Sequence, residues 1–255
     1  MLACRIDSQE KLITKLEEHE TQNHLTGYVR AFNQLLRHYC PAMDLDGSYM
    51  IAEGLLSGEQ VTVEGFVFEK QVTIIGVVDS IMHPGTISFQ RFDYPSHLSV
   101  HVQDRMGDIC TTIAQHIGLN NTLFNVEMFY CSKLPVGQDI KIIEINPRIC
   151  GQFADLYESV DGTNTYEVLI SLAAGERPRW TRREGHYKVA ASFPLRMFKD
   201  ARIAHIPGTE DFEMRLSKLG QYDGVSYKYG VVNMSGHSLE TMLEEFQLVK
   251  EELGF

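Results

Sequence analysis

Apolar residues near the start of the chain recur at helical spacing. Leu12, Ile13 and Leu16 share one face, and Ser8 stands where a capping hydroxyl belongs, so the pattern predicts a helix from Gln9 to about Glu20. Leu2 to Ile6 reads as the tail of a strand before it, and Tyr28 to Tyr39 fits a second helix, with Pro41 and Gly47 punctuating the segment after it. From Tyr49 to Ser80 the runs shorten and the composition turns to β-branched and aromatic residues. Three strands are expected there: Met50 to Ala52, Val61 to Phe68 and Gln71 to Val78, with Glu69-Lys70 as a tight connection between the last two. A helix should run from His97 to His116, burying Val100, Met106, Ile109, Ile113 and Ile117 and ending at Gly118. Two more strands are expected, Leu123 to Tyr130 and Ile140 to Asn146, joined through Pro135 and Gly137. A helix from Thr165 to Ala174 stops at Gly175, and the apolar stripe 239, 242, 243, 246, 249 and 253 predicts a terminal helix. Strands and helices mix without a strict βαβ alternation, so the class is α+β. Three segments are expected, 1–48, 49–180 and 181–255, the last a small C-terminal α+β lobe.

Composition narrows the function. The chain has 255 residues and a formal net charge of -11. That balance argues against a duplex-binding protein, which needs a basic face to displace counterions. It leaves phosphate ligands open, because carboxylates hold phosphates through a divalent metal. The five cysteines, at 4, 40, 110, 131 and 150, form no CxxC pair, which fits reduced thiols in the cytoplasm better than a disulfide framework or a zinc cluster. Met1-Leu2-Ala3-Cys4 lacks the charged and apolar stretches of a lipoprotein leader. No apolar run approaches the roughly 20 residues of a membrane span. Asp44 to Gly47 has the opening residues of a calcium loop without the remaining ligands.

The stretch with the most chemistry is Phe124 to Phe129 together with Ile143-Glu144-Ile145-Asn146-Pro147-Arg148. Alternate strand residues share a face, so Glu144 and Asn146 point one way while Ile143 and Ile145 point the other. A hairpin centred between Pro135 and Val136 sets Glu127 opposite Glu144 and Asn125 opposite Asn146. Two carboxylates facing each other repel, and burial makes this worse unless a cation lies between them. Magnesium suits such a set, with hard oxygen ligands and nucleotide phosphates completing its octahedron. Arg148, just beyond, is placed to grip a phosphate or a developing oxyanion. From pattern alone, the plainer account is the polar face of an exposed hairpin.

Glu144 to Arg148 resembles the E-x-N-P-R signature of the ATP-grasp superfamily, and Glu127 matches the acid that family carries on the preceding strand. The resemblance implies an ATP-grasp nucleotide lobe with an antiparallel sheet and flanking helices. It implies magnesium, with manganese as a substitute, held by Glu127, Glu144 and Asn146 and carrying the phosphates of ATP, and it makes Arg148 the catalytic residue. Ile51 to Glu59 is similar to the family's adenine hinge. Glu53, Gly54, Leu55 and Leu56 would then read the adenine edge and Glu59 the ribose hydroxyls, although a turn residue after Gly58 is the plain account of Glu59. His83 matches a nucleotide-side histidine of carbamoyl-phosphate-synthetase-like and biotin-carboxylase-like members, or is an ordinary loop histidine. Gly151 to Asp155 and Asp161-Gly162 line up with the family's substrate-side loop.

The implied activity is ATP- and magnesium-dependent ligation of a carboxylate to an amine, of the amino-acid or peptide type, through an acyl phosphate. The alternatives are a carboxylase-type enzyme and a non-catalytic, truncated or degenerate module. Small-molecule carboxylate and amine substrates, and a homodimer or a separate N-terminal lobe, are the expected partners. Family members bear phosphate-binding lysines and a glycine-rich loop upstream of the hinge. Lys11 and Lys15 fall on the helix after that position and do not match them, so the chain is expected to begin midway through the small ATP lobe, with residues 1–48 its remnant.

Overall fold

The structure, a computed structural model, describes residues 6–44, 46–49, 51–198 and 227–253. The chain divides by contact into two compact units, one ending at Leu55 and one beginning at Leu56. The expected strand at Leu2 to Ile6 falls largely on residues outside the described ones.

In the first unit, α1 spans Gln9–Glu17 and α2 spans His19–Tyr39. Ser8 caps α1 as anticipated, its side chain accepting the Lys11 N–H at 3.2 Å. The helix is three residues shorter than expected, because Glu18 leaves helical geometry and starts α2. Asn33 on α2 fastens the turn beyond the helix: it donates to Asp46 at 3.0 Å and accepts from the Gly47 N–H at 2.7 Å. Ile51 and Ala52, expected in a strand, are instead exposed and irregular, as are Glu53 to Leu55. A short apolar run with no partner strand cannot satisfy its backbone by pairing.

The second unit is built on one seven-stranded sheet, ordered β5-β4-β1-β2-β3-β6-β7, whose pairings are all antiparallel. The strands are β1 (Glu59–Phe68), β2 (Gln71–Met82), β3 (Phe89–Tyr94), β4 (Thr122–Tyr130), β5 (Ile140–Asn146), β6 (Val189–Met197) and β7 (Tyr227–Gly236). Glu69 and Lys70 both adopt positive φ, 48° and 64°, the geometry of a two-residue hairpin turn. Neither is the glycine such a turn favours. Asn120 and Asn121 compensate by accepting the Lys70 and Glu69 N–H groups at 2.9 and 3.3 Å.

Alternation along β1 divides two cores. Val61, Val63 and Val67, with Phe124, Val126 and Met128 of β4, pack against α3 (Val100–His116). Phe66 and Phe68, with Leu123 and Val78, pack on the opposite face with Phe153, Leu156, Tyr157 and Val168. These last belong to a single turn of tighter helix at Gly151–Phe153, to α4 (Ala154–Asp161) and to α5 (Thr165–Ala173). Gly151 to Asp155 and Asp161, read from sequence as parts of a substrate-side loop, therefore lie in helix, and Gly162 caps it. The inner face of α3 also differs from expectation. Val100 and Ile117 are 72% and 53% exposed, and the buried positions are Val102, Met106, Gly107, Cys110 and Ala114. Gly107, Cys110 and Ala114 are small, which lets the helix lie close to the sheet.

The terminal helix α6 (Leu239–Leu253) buries Met242 and Phe246 against Ala191, Phe193 and Leu195. The strands β6 and β7 continue the main sheet beyond β3. Among the described residues, no helix is long and apolar enough to cross a membrane.

Candidate functional site

Two rows of side chains cross three neighbouring strands. Thr62 of β1 faces Glu127 of β4, which faces Glu144 of β5. Two residues along, Glu64 faces Asn125, which faces Asn146. The hairpin count made from sequence thus matches the register, with Glu127 and Glu144 on one face. Beyond Glu127 the ladder slips by one residue, pairing Met128 with Ile142 and Phe129 with Lys141. This bulge leaves Ile143 without an opposite number and brings Lys141 onto the face of Glu144, an odd number of positions away. Bulges beside functional sites commonly re-aim side chains in this way.

Hydrogen bonds tie the rows together. Asn146 donates to Glu144 at 2.7 Å and to the Asn125 carbonyl oxygen at 3.1 Å. Asn125 donates in turn to the Arg148 carbonyl at 3.0 Å, and Gln60 donates to Glu127 at 3.1 Å. Glu127 and Glu144 face each other in the ladder, and the Glu127 pKa is raised, first by burial and then by the Glu144 charge. A proton shared between two carboxylates is one remedy for their repulsion; a divalent cation is the other. Among the described residues, no group of three or more His, Cys, Asp and Glu side chains is arranged to hold a metal. The donor set here is two carboxylates and an amide oxygen.

Pro147 ends β5, and the chain turns through Arg148 to Cys150. Arg148 is exposed, and its charge lowers the pKa values of both Glu64 and Glu127. Glu64 is fully buried. One of its oxygens accepts the Cys150 N–H at 2.8 Å, while the other makes no well-formed hydrogen bond. Burial raises its pKa to about 7, against the opposing pull of the Cys150 N–H, the Tyr157 hydroxyl and Arg148. The Cys150 thiol, half-buried beside Glu64, is pushed up to about 12, chiefly by burial, which disfavours the thiolate. Sequence reading missed Glu64 and Lys141. A lone glutamate inside the apolar run Val61 to Phe68 was the signal available for the first; the bulge left none for the second.

Glu59 shares the α3 face with Val61, and its carboxylate is 2.6 Å from Nε2 of His97. Nδ1 of the same ring is 2.5 Å from Asp79, a buried carboxylate that also accepts the His97 N–H. His97 is accordingly raised in pKa, first by the Asp79 bond. His83 lies just past β2, its ring edge-on to Phe198 at 4.8 Å, and burial lowers its pKa. Glu53, Gly54 and Leu55 belong to the first unit and Leu56 to the second; all four are exposed and outside regular structure.

A seven-stranded antiparallel sheet with flanking helices is consistent with an α+β ATP-grasp fold. An L-amino acid ligase from Bacillus licheniformis superposes with a TM-score of 0.61 at 15% identity, over 78% of this chain and 51% of that one. Phosphoribosylglycinamide synthetase from Anaerococcus prevotii gives 0.56 at 14% identity, over 77% and 53%. The biotin carboxylase domain of the Hydrogenobacter thermophilus 2-oxoglutarate carboxylase, solved with MgADP and bicarbonate, gives 0.55 at 16%, over 76% and 45%. At these identities the likeness is one of fold, and the chain spans about half the length of these proteins. No family model and no curated protein matches the sequence.

Proposed function

We propose that this chain is the nucleotide- and metal-binding portion of an ATP-dependent carboxylate–amine ligase of the amino-acid or peptide type. The observation that carries this reading is the Glu127–Glu144 pair, facing in register on β4 and β5, with Asn146 bonded to Glu144. Two carboxylates facing each other across a strand pair, one of them partly buried, are a costly arrangement that a magnesium or manganese ion relieves, so the residues present fit the ion. Glu127, Glu144 and Asn146 would hold it, and when bound it supplies charge neutralisation for the phosphates of ATP. Arg148, exposed just beyond the end of the same strand, offsets charge that develops on the γ-phosphoryl group as the substrate carboxylate attacks it, the β–γ bond breaks and ADP leaves, giving an acyl phosphate. The amine then displaces phosphate. Lys141, exposed on the same face, adds a second cation where the sequence offered only Arg148.

The backbone of Glu53 to Leu56 remains the proposed reader of adenine, and His83 a proposed nucleotide contact. Glu59 takes the ribose only by exchanging its His97 partner for the sugar hydroxyls.

Calorimetric titration with ATP, in magnesium and in chelator, tests the reading, with phosphate release then measured using amino acids or bicarbonate as acceptors. Binding should require the metal and be lost in Glu144→Gln. Arg148→Ala should lower turnover more than nucleotide affinity, because its partner is transition-state charge. Metal-independent binding, unchanged in Glu144→Gln, refutes the assignment.

A further inference from the structure

Glu64 stands outside the metal-ligand set, yet it makes a hydrogen bond by which β1, the strand between β4 and β2, grips the chain just after Arg148. We propose that Glu64 is a positioning residue: through the Cys150 N–H it fixes the 147–150 turn and so aims Arg148 at the face carrying Glu127 and Glu144. The consequence for ligand binding rests on the nucleotide reading above; the consequence for the turn does not.

The geometry argues against a merely space-filling role. A glutamate in a core strand costs desolvation free energy that valine or leucine would not. Here one oxygen receives a backbone N–H that otherwise has no strand or helix partner, since Cys150 lies between β5 and the turn at Gly151–Phe153. The other oxygen is left without a well-formed hydrogen bond, as is the neighbouring Tyr157 hydroxyl. The side chain is therefore incompletely satisfied by its own core and is explained by the group it does hold. The anchoring is also cooperative. Asn125, opposite Glu64 on β4, accepts from Asn146 and donates to the Arg148 carbonyl. The backbone on both sides of Ile149 is thus held by side chains of one row, Asn125 at residue 148 and Glu64 at residue 150. With both anchors in place, the 148–150 backbone is fixed, and the Arg148 guanidinium starts from a defined root. Losing one anchor leaves the turn tethered on one side only.

The test compares Glu64→Gln, which keeps an acceptor oxygen, with Glu64→Met, which fills the space without one. Glu64→Asp, one methylene too short to reach, replaces the methionine variant if that fails to fold. Hydrogen exchange resolved at the Cys150 amide is the first readout and needs no ligand. Exchange should be about tenfold or more faster in Glu64→Met or Glu64→Asp and near the native rate in Glu64→Gln. Equal rates in all variants overturn the proposal.

Magnesium-ATP affinity is the second readout. Glu64→Met should weaken it severalfold in the native background and have no further effect in Arg148→Met, because the route runs through Arg148. Equal losses in both backgrounds overturn the link to Arg148. If the native chain shows no magnesium-dependent ATP binding, the nucleotide reading fails while the exchange result still decides the anchoring of the turn.

Discussion

Replacing Glu64 with glutamine should change how stability depends on pH, and the size of the change is set by its burial. The carboxyl is fully buried and titrates at about 7 in the fold, against an ordinary value of 4.5. Its folded pKa is raised, so between these values the folded chain holds a proton that the unfolded chain releases. Stability from this group is therefore present at pH 4 and is lost as pH rises towards 7. At about 1.4 kcal/mol for each pH unit between the two pKa values, the loss is about 3 kcal/mol. Glutamine preserves the acceptor for Cys150 and cannot ionise. Urea unfolding of both proteins, from pH 4 to pH 8, should show the variant gaining about 3 kcal/mol relative to the native chain. The gain should accumulate between pH 4.5 and pH 7 and level off above. The groups that the Glu64 charge perturbs, Cys150 and Tyr157, are both raised and titrate above this range, so the difference isolates Glu64. Two parallel stability curves would mean that Glu64 ionises at its ordinary value, and the account of its burial would be wrong.

Other expectations rest on the same geometry. Glu144→Gln removes the charge that raises Glu127, so the Glu127 carboxyl should titrate at lower pH, as carbon-detected NMR of its side chain would report. His97→Gln should abolish a stability contribution that is present below pH 6.5 and fades as pH rises through the raised histidine pKa; the comparison is thermal melting at pH 6 and pH 9. Gly65→Ala should cost about 2 kcal/mol or more in equilibrium unfolding, since its methyl would lie 2.7 Å from the Thr73 carbonyl oxygen and 2.8 Å from the Phe124 ring.

Legibility from sequence tracked the strength of local patterns. The β4–β5 register could be counted because its connection is centred between Pro135 and Val136 and its acids and asparagines alternate cleanly. The bulge at Ile143 was invisible, since Ile-Ile-Glu-Ile-Asn reads as an unbroken strand end. β3 escaped notice because Phe89 to Tyr94 carries Arg91 and Asp93, which neutralise each other at 2.8 Å in the fold and so survive burial. The face of α3 was misassigned at Val100 and Ile117 because hydropathy favours large residues, whereas the close approach to the sheet selects Gly107, Cys110 and Ala114. Whether the fold bears a competent site depends on groups such as Glu64, whose role is set by an N–H 86 residues away.

That separation has a kinetic consequence. The carboxylates Glu127 and Glu144 lie on a single hairpin, closed by the nine residues between Tyr130 and Ile140. The row from Glu64 through Asn125 to Asn146 is assembled only when β1 docks on β4, across a sequence gap that includes β2, β3 and α3. Contacts this distant form slowly, because the chain between them must be ordered before they contribute. The acidic hairpin is thus expected to arise early and to wait, with its two like charges adjacent, for the strand that completes the row. Divalent cation present during refolding would act on that early species, where the repulsion is greatest relative to the structure available to resist it.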